Sequence, residues 1–179
     1  MKHMKASISV EKLILPTYLE PAAEELPMFA ENRVHQRSSG DPYPNKIVSA
    51  VDRVNRVEKE YAIVVLENDY VRIEVLPEIG GRVYSALDKT TGYDFFYKQH
   101  VIKPALIGVL GSWVSGGVEF NWPFHHRASG FMRCDFVTEE FEDGSVACHL
   151  SEHDPIDRMK GMVSVILRQN IAGRARMMR

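Results

Sequence analysis

Cysteine is scarce in this chain, whose 179 residues include two, Cys134 and Cys148. Both lie in neighbouring strand-like segments, a placement that would let them bridge in an oxidising compartment. No apolar run of secretory length stands at the start of the sequence. We therefore expect a cytoplasmic protein in which both thiols are free and reduced.

The chain also lacks an excess of charge of one sign and any long apolar run. Its 22 basic and 24 acidic residues give a net charge of −2, which disfavours nucleic acid as a partner. Residues 104–120 carry little charge, but four glycines interrupt them, so we predict no membrane span. The basic C-terminal tail indicates a solvated end, and its arginines are Arg174, Arg176 and Arg179.

Two common catalytic motifs are also absent from the sequence. There is no P-loop and no G-x-S-x-G elbow, which disfavours nucleotide chemistry and serine hydrolysis. Gly80 and Gly81 lack the strand-to-helix context of a phosphate loop, so they indicate a tight turn with positive φ, with Arg82 directed at a ligand. His125 and His126 have no third ligand at a recognisable spacing, so we predict neither a metal site nor a cofactor.

The N-terminal part of the sequence contains a strand-like segment followed by a proline-rich segment. Residues 8–15 begin with the alternating, β-branched pattern of a strand, which we expect to stop at Pro16. Residues 17–44 contain four prolines and a Ser-Ser-Gly-Asp turn cluster, so they are predicted to form a long irregular arm. We assign residues 1–58 to this strand and the proline-rich arm, packed on the main β domain.

Strand signals dominate residues 59–179. Two strand-length apolar runs meet at Asn68 and Asp69 and predict a hairpin, and residues 71–75 alternate apolar and charged side chains as in a sheet with one dry face. Three more strands are predicted at residues 131–141, 145–152 and 162–169. The sequence therefore predicts an all-β, mainly antiparallel fold, a sandwich or barrel, in a single domain.

The densest polar and aromatic cluster is WVSGGVEFNWPFHHR, residues 113–127. Sugar sites use such a mixture, because aromatic faces cover the C–H side of a pyranose while charged and amide groups bond its hydroxyls. A histidine is also able to act as a general acid near neutral pH, and a carboxylate as a base. The polar and aromatic candidates in this segment are Trp113, Glu119, Asn121, Trp122, His125, His126 and Arg127.

Structural alternatives accompany these residues. Both tryptophans can equally be core residues, and Glu119 can be an internal ion-pair partner of Arg127 or Arg82. Adjacent side chains point to opposite faces of a strand, so at most one of His125 and His126 faces a given pocket. The sequence therefore leaves open whether the cluster serves a ligand or the fold.

Two motifs resemble known proteins. LPEIGGRVYSALDKTTGYDFFY, residues 76–97, is similar to the early strand-turn-strand segment of galactose-mutarotase-like proteins. SGGVEFNWPFHHR, residues 115–127, resembles the DUF5107 family, often found ahead of tetratricopeptide repeats in bacterial proteins. Together with shorter matching segments, the resemblance covers residues 10–167.

The resemblance implies a β-supersandwich with a sugar-sized groove on one sheet. Mutarotases open and reclose a hemiacetal with a histidine acid and a glutamate base, so by analogy His125 or His126 is the acid. The groove would be lined by Glu119, Asn121, Arg82 and Trp122. The family's usual base lies in a later half of the domain, which we expect this chain to lack. A partial domain of this kind would have unpaired sheet edges, which favour self-association.

Three functions are compatible with these residues. The first is an epimerase- or glycosidase-like sugar site, with acid–base chemistry at an anomeric centre in full-length relatives and Glu119 as the second titratable group. The second is a non-catalytic module that binds a carbohydrate or a TPR-type partner domain. The third is an inactive fragment. Convergence of Glu119 and a histidine on one cavity would favour the first over the second.

Overall fold

The regular structure of the chain is almost entirely β-strand in the computed structural model. Among the described residues, the helical structure is one three-residue 3-10 turn, Pro77–Ile79. No helix in this part of the chain is long and apolar enough to cross a bilayer. The structure describes residues 5–19, 52–106, 112–121, 132–154, 159–169 and 174–178.

The strands form two main antiparallel sheets and a small ribbon. The first sheet contains, in spatial order, β1 (Ser7–Tyr18), β2 (Arg56–Glu67), β3 (Val71–Leu76), β4 (Arg82–Asp88) and β5 (Tyr93–Asp94). The ribbon pairs β6 (Ala105–Leu106) with β7 (Ser112–Trp113). The second sheet contains β8 (Asp135–Glu140), β9 (Val146–Asp154), β10 (Met159–Leu167) and β11 (Arg174–Met178), in the spatial order β11-β10-β9-β8. Within each sheet, strands that are adjacent in the sequence pair antiparallel with one another, which confirms the predicted all-β, mainly antiparallel class.

The hairpin between β2 and β3 turns where it was predicted, at Asn68. The Asn68 side-chain oxygen accepts hydrogen bonds from the backbone N–H groups of Tyr70 (2.8 Å) and Val71 (2.9 Å), which is the local turn chemistry that asparagine favours. Asn68 is buried, and its Nδ2 donates to the carbonyl of Arg168 at 2.9 Å. One asparagine thus closes a turn of the first sheet and joins it to the end of β10.

The two sheets pack face to face around the main hydrophobic core. On β3, apolar residues are buried while Arg72 and Glu74 stay partly exposed on the opposite face, which confirms the predicted dry face. Removal of these apolar groups from water is the main force that holds the sheets together. The core residues from the two sheets include Val64, Leu66, Val71, Ile73, Val75, Val83, Val146, Cys148, Leu150, Val165 and Leu167.

A second, smaller core covers the other face of the first sheet. Here β2 buries the side chains that alternate with those in the main core, so this central strand is buried on both faces. Ile102 and Val114 pack over them and hold residues 95–106 and 112–121 on the sheet. The second of these ranges carries several of the predicted site residues. The β2 residues in this core are Tyr61, Ile63 and Val65.

The first strand runs past Pro16, so the predicted stop at this proline is wrong. β1 continues to Tyr18, and Pro16 lies opposite Glu58 of β2. The Pro16 carbonyl accepts a hydrogen bond from the N–H of Ile102 (2.8 Å), on the side of β1 away from β2. Because the nitrogen and carbonyl of one strand residue point to the same side, the missing N–H of proline costs no bond to β2.

The second sheet has a strand that the sequence patterns did not indicate. Residues Arg174–Met178 form β11, which pairs with β10 so that Ala175 lies opposite Val165. Residues 174–178 of the basic tail, which the sequence indicated as a solvated end, are therefore part of the sheet through their backbone. Its local apolar pattern is weak, and pairing with β10 rather than intrinsic preference accounts for the strand.

Both cysteines are free and buried, which confirms the predicted free thiols. Cys134 Sγ lies 3.4 Å from the carbonyl oxygen of Pro77, and Cys148 lies in the main core. Burial raises the pKa of Cys148 to about 12, and the charge of the Cys134 thiolate acts in the same direction. The reactive thiolate form of Cys148 is therefore scarce at neutral pH.

We expect Cys148 to react with Ellman's reagent only after the chain unfolds. In a Cys134→Ser variant, where Cys148 is the single thiol, modification near pH 8 should be at least ~100-fold slower in buffer than in concentrated urea, because burial blocks access and suppresses the thiolate. Rapid modification of the folded variant would contradict the placement of Cys148 in the core.

Candidate functional site

Four of the eight predicted site residues lie in the described part of the chain, and all four meet at one place. These are Arg82, Trp113, Glu119 and Asn121. The other four lie outside the described residues: Trp122, His125, His126 and Arg127. The structure therefore locates the centre of the predicted cluster and leaves its histidines as sequence predictions.

The Glu119 carboxylate is the point on which the cluster converges. Trp113 donates its indole N–H to Glu119 Oε2 (3.2 Å), and Asn121 donates its amide to Glu119 Oε1 (3.1 Å). Arg82 Nη2 lies 3.7 Å from Glu119 Oε2, so the predicted ion pair with Arg82 is present. The Glu119 side chain is still 22% exposed. The result is a carboxylate that is fixed from three sides and reachable from solvent.

Arg82 lies beneath this carboxylate as a buried support. Its side chain is 3% exposed, and Nη1 donates to the carbonyl oxygens of Val114 (2.6 Å) and Gly116 (2.8 Å). Burial lowers the pKa of Arg82, while the Glu119 carboxylate acts in the opposite direction. Arg82 therefore holds the backbone next to the site, whereas the sequence suggested that it points at a ligand.

The glycine pair before Glu119 lets the backbone lie directly on β4. Val83 and Val118 exchange two backbone hydrogen bonds, 3.0 Å and 2.8 Å long, across this contact. Gly117 has φ +70°, and a Cβ added there would lie 2.3 Å from the carbonyl oxygen of Val83. Only glycine accepts both the positive φ and the close approach. This position explains why the sequence reads Gly-Gly immediately before Val118 and Glu119.

The ribbon of β6 and β7 presents the tryptophan of the site. Trp113 lies opposite Ala105 in this ribbon, and the next residue, Val114, is buried in the second core. Trp113 itself is only partly buried. Anchoring of Val114 fixes the chain beside it, so the indole lies at the edge of the core with its N–H on Glu119.

Other titratable groups serve the fold. Glu78 accepts the backbone N–H of Ala62 at 2.9 Å, at a position of β2 that has no partner residue in β3. His149 makes hydrogen bonds to Ser164 Oγ (2.7 Å) and Glu139 Oε2 (2.9 Å) across three strands of the second sheet. Within the described ranges, no three His, Cys, Asp or Glu side chains come together as a metal site.

A polar cluster between β4 and the segment after β5 was not indicated by the sequence patterns. Asp94 accepts hydrogen bonds from Ser85 Oγ (2.5 Å) and Lys98 Nζ (3.1 Å) and from the backbone N–H groups of Ala86 and Phe96. Burial raises the pKa of Asp94, but these bonds outweigh it and the net pKa is lowered. Asp94 therefore clamps the segment after β5 to the sheet. The sequence did not predict this role, because an aspartate between aromatic residues is a common pattern.

This clamp predicts an acid-sensitive contribution to stability. A carboxyl whose pKa is lowered by folding stabilises the fold above its unfolded value, near 3.8, and the contribution is lost as the pH falls through the folded value. Asp94→Asn should therefore unfold more easily at neutral pH, by roughly 1–2 kcal/mol for the weakened charge-assisted bonds. In urea titrations the stability difference between the variant and the parent should shrink as the pH falls below about 3.8 and vanish once the pH is below the folded pKa of Asp94. A stability difference that does not change with pH would contradict this role.

A solved structure shares the fold of this chain. It is the crystal structure, at 2.26 Å resolution, of a TPR-domain containing protein from Parabacteroides distasonis ATCC 8503. The two structures superpose with a TM-score of 0.79 at 22% sequence identity, over 95% of this chain and 28% of that chain. At this identity the likeness shows the fold alone, and the chain corresponds to just over a quarter of the length of that protein.

The sequence profile of a family matches most of the chain. The family is described as a domain of unknown function, DUF5107, and the match spans residues 41–173. This span includes every predicted site residue from Arg82 to Arg127, and it agrees with the resemblance of the SGGVEFNWPFHHR motif. With well over half of its residues matched, the chain belongs to the DUF5107 family.

Proposed function

We propose that this chain is a carbohydrate-binding module of the galactose-mutarotase-like type, with its sugar site at Glu119. The observation that carries the proposal is the convergence of Trp113 and Asn121 on a partly exposed Glu119 carboxylate. An indole, an amide and a carboxylate in contact are residue types suited to a ligand that combines apolar C–H surface with many hydroxyls.

Each group has a role that follows from its chemistry. Glu119 Oε2 accepts a bond from Trp113 and Oε1 accepts one from Asn121, and the side chain is partly exposed, so a sugar hydroxyl that reaches it would meet a carboxylate already fixed in position. Asn121 is exposed, and a side-chain amide is a group that both donates to and accepts from sugar hydroxyls. Trp113 is partly buried, and its exposed ring surface would cover the C–H side of the sugar.

We assign binding rather than catalysis to the described residues. The contacts of Glu119 with Trp113, Asn121 and Arg82 hold the carboxylate in one position, which suits a group that binds a ligand. The catalytic form of the proposal adds His125 or His126 as the acid at an anomeric centre, in longer relatives of the chain. Acid–base catalysis needs both groups within hydrogen-bond reach of the reacting atoms.

Calorimetric titration with hexoses, pentoses and short oligosaccharides tests the proposal. We expect saturable binding by the parent, about tenfold weaker in Asn121→Ala and Glu119→Gln, because each variant removes a hydrogen-bonding group from the ligand. Glu58→Gln, an exposed carboxylate on β2, is the matched control and should bind like the parent. A folded chain that binds no sugar in the panel would refute the proposal.

A second candidate is a protein-interaction module that docks on helical repeats. The observation that favours it is the shared fold with just over a quarter of a TPR-domain containing protein. The test is an NMR titration of this chain with the TPR segment of that protein, supplied as a separate chain. Saturable shifts would support docking, and an unchanged spectrum would rule out this partner.

A further inference from the structure

Three aromatic side chains are exposed in a row after β4. We call Tyr93, Phe95 and Tyr97 the aromatic ridge; their exposed fractions are 66%, 47% and 77%. They alternate with Asp94 and Phe96, which are partly buried. Large aromatic side chains exposed close together along the chain are typical of a surface that binds a partner or ligand.

The ridge is held rigidly from below. Asp94 is clamped by Ser85 and Lys98, and Phe96 packs against the main core. Phe95 also donates its backbone N–H to the carbonyl of Ala86 at 2.8 Å. A fixed backbone presents the rings without ordering a loop on binding, which lowers the entropic cost of binding a ligand.

The ridge is continuous with the segment that carries Glu119. Gly117 donates its backbone N–H to the carbonyl of Tyr97 at 2.7 Å, two residues before Glu119. Gly116 packs closely on Gln99, whose amide donates to Ser115 Oγ at 2.9 Å. The segment that carries the aromatic ridge is therefore bonded directly to the segment that leads to Glu119.

We infer that the aromatic ridge binds further sugar units of an oligosaccharide whose first unit lies at Glu119. This inference rests on the proposed function and makes its ligand a chain of sugars rather than a free hexose. The ridge side chains are uncharged, and two of the three carry a phenolic hydroxyl, which suits a ligand that is neutral and hydroxyl-rich. Tyr93 and Phe95 pack edge to face, with ring centroids 6.3 Å apart and an interplanar angle of 86°, so the two rings do not form one flat surface. Tyr97, the most exposed ring, should therefore contribute most.

The test compares ligand length. Probes are glucose and galactose together with α-1,4 and β-1,4 gluco-oligosaccharides of two to six units, titrated into the parent, Tyr97→Ala and Asn121→Ala. We expect affinity to rise with length in the parent. Tyr97→Ala should lose about tenfold in affinity for the longest probe, the usual scale of one aromatic contact, and bind the monosaccharide unchanged. Val137→Ala removes an exposed apolar side chain from the second sheet and serves as the control.

The outcomes separate the ridge from the Glu119 site. A parent that binds monosaccharides through Asn121 but gains nothing with length would overturn the ridge inference and leave the proposed function standing. Equal affinity of Tyr97→Ala and the parent for the longest probe would overturn it as well. Absence of binding by every probe would overturn the proposed function and the inference together. Tyr97 is exposed, so its substitution should leave the urea midpoint unchanged and the comparison valid.

Discussion

Gly117→Ala should destabilise the chain by about 4 kcal/mol or more, a large part of the stability of an ordinary domain. A β-carbon at this position would lie 2.3 Å from the Val83 carbonyl oxygen, which is backbone and cannot swing away. Relief of the clash requires the two Val83–Val118 hydrogen bonds to lengthen or break. The positive φ of +70° adds its own strain of about 1–2 kcal/mol for alanine. The loss is measured from urea denaturation.

Gly92→Ala is the matched control for this substitution. Gly92 has a similar φ of +74°, but nothing lies within 4 Å of an added β-carbon. This variant should therefore lose only the backbone strain, about 1–2 kcal/mol. The difference between the stability losses of the two variants measures the cost of the clash with β4. Equal losses would show that the segment before Glu119 does not lie on β4 as described.

Arg82→Met should be the other severe substitution, with a loss of roughly 3–5 kcal/mol. It removes a buried guanidinium that donates to the carbonyls of Val114 and Gly116, and each buried carbonyl left without a donor costs about 1–3 kcal/mol. It also leaves the Glu119 carboxylate without its neighbouring cation. Arg56→Met, at an exposed arginine of β2, is the control and should change stability little.

A double-mutant cycle tests whether Arg82 and Glu119 act as a pair. Arg82→Met combined with Glu119→Gln should lose less than the sum of the single losses, with a coupling of about 0.5–3 kcal/mol, since the second change removes the uncompensated charge. Additive losses would show that Arg82 only supports the backbone carbonyls. The urea titrations that give these values also show whether each variant still unfolds cooperatively.

The architecture was largely predictable because local patterns and tertiary packing agree in this chain. Asn68 supplies its own turn chemistry, and the alternation from Val71 to Val75 matches the face that packs in the main core. Pro16 was misinterpreted because its effect on a strand depends on which neighbouring segment its backbone nitrogen faces. That segment contains Ile102, which is 86 residues away in the sequence. β11 was missed because its pairing with β10, not its own composition, places it in the sheet.

The candidate site was predictable in composition and only partly in arrangement. Glu119 and Asn121 are two residues apart, so their contact follows from local geometry, and the ion pair with Arg82 was one of the alternatives that the sequence offered. The sequence did not predict that the Arg82 side chain is buried and bonded to backbone carbonyls, since both carbonyls belong to a distant segment of the chain. The aromatic ridge left a signal in YDFFY, but alternating aromatics also fit a core strand, and exposure distinguishes the two only after folding.

The most direct measurement is the indole N–H signal of Trp113 during a sugar titration. The chain has two tryptophans, so a ¹⁵N-labelled sample gives two indole signals, and Trp113→Phe identifies which is which. Trp113 donates that N–H to Glu119, so a sugar hydroxyl bound to the carboxylate must change its environment. We predict a saturable shift of the Trp113 signal with the same midpoint as the calorimetric titration. A Trp113 signal that stays fixed while sugar binds would place the site elsewhere and contradict the assignment of Glu119.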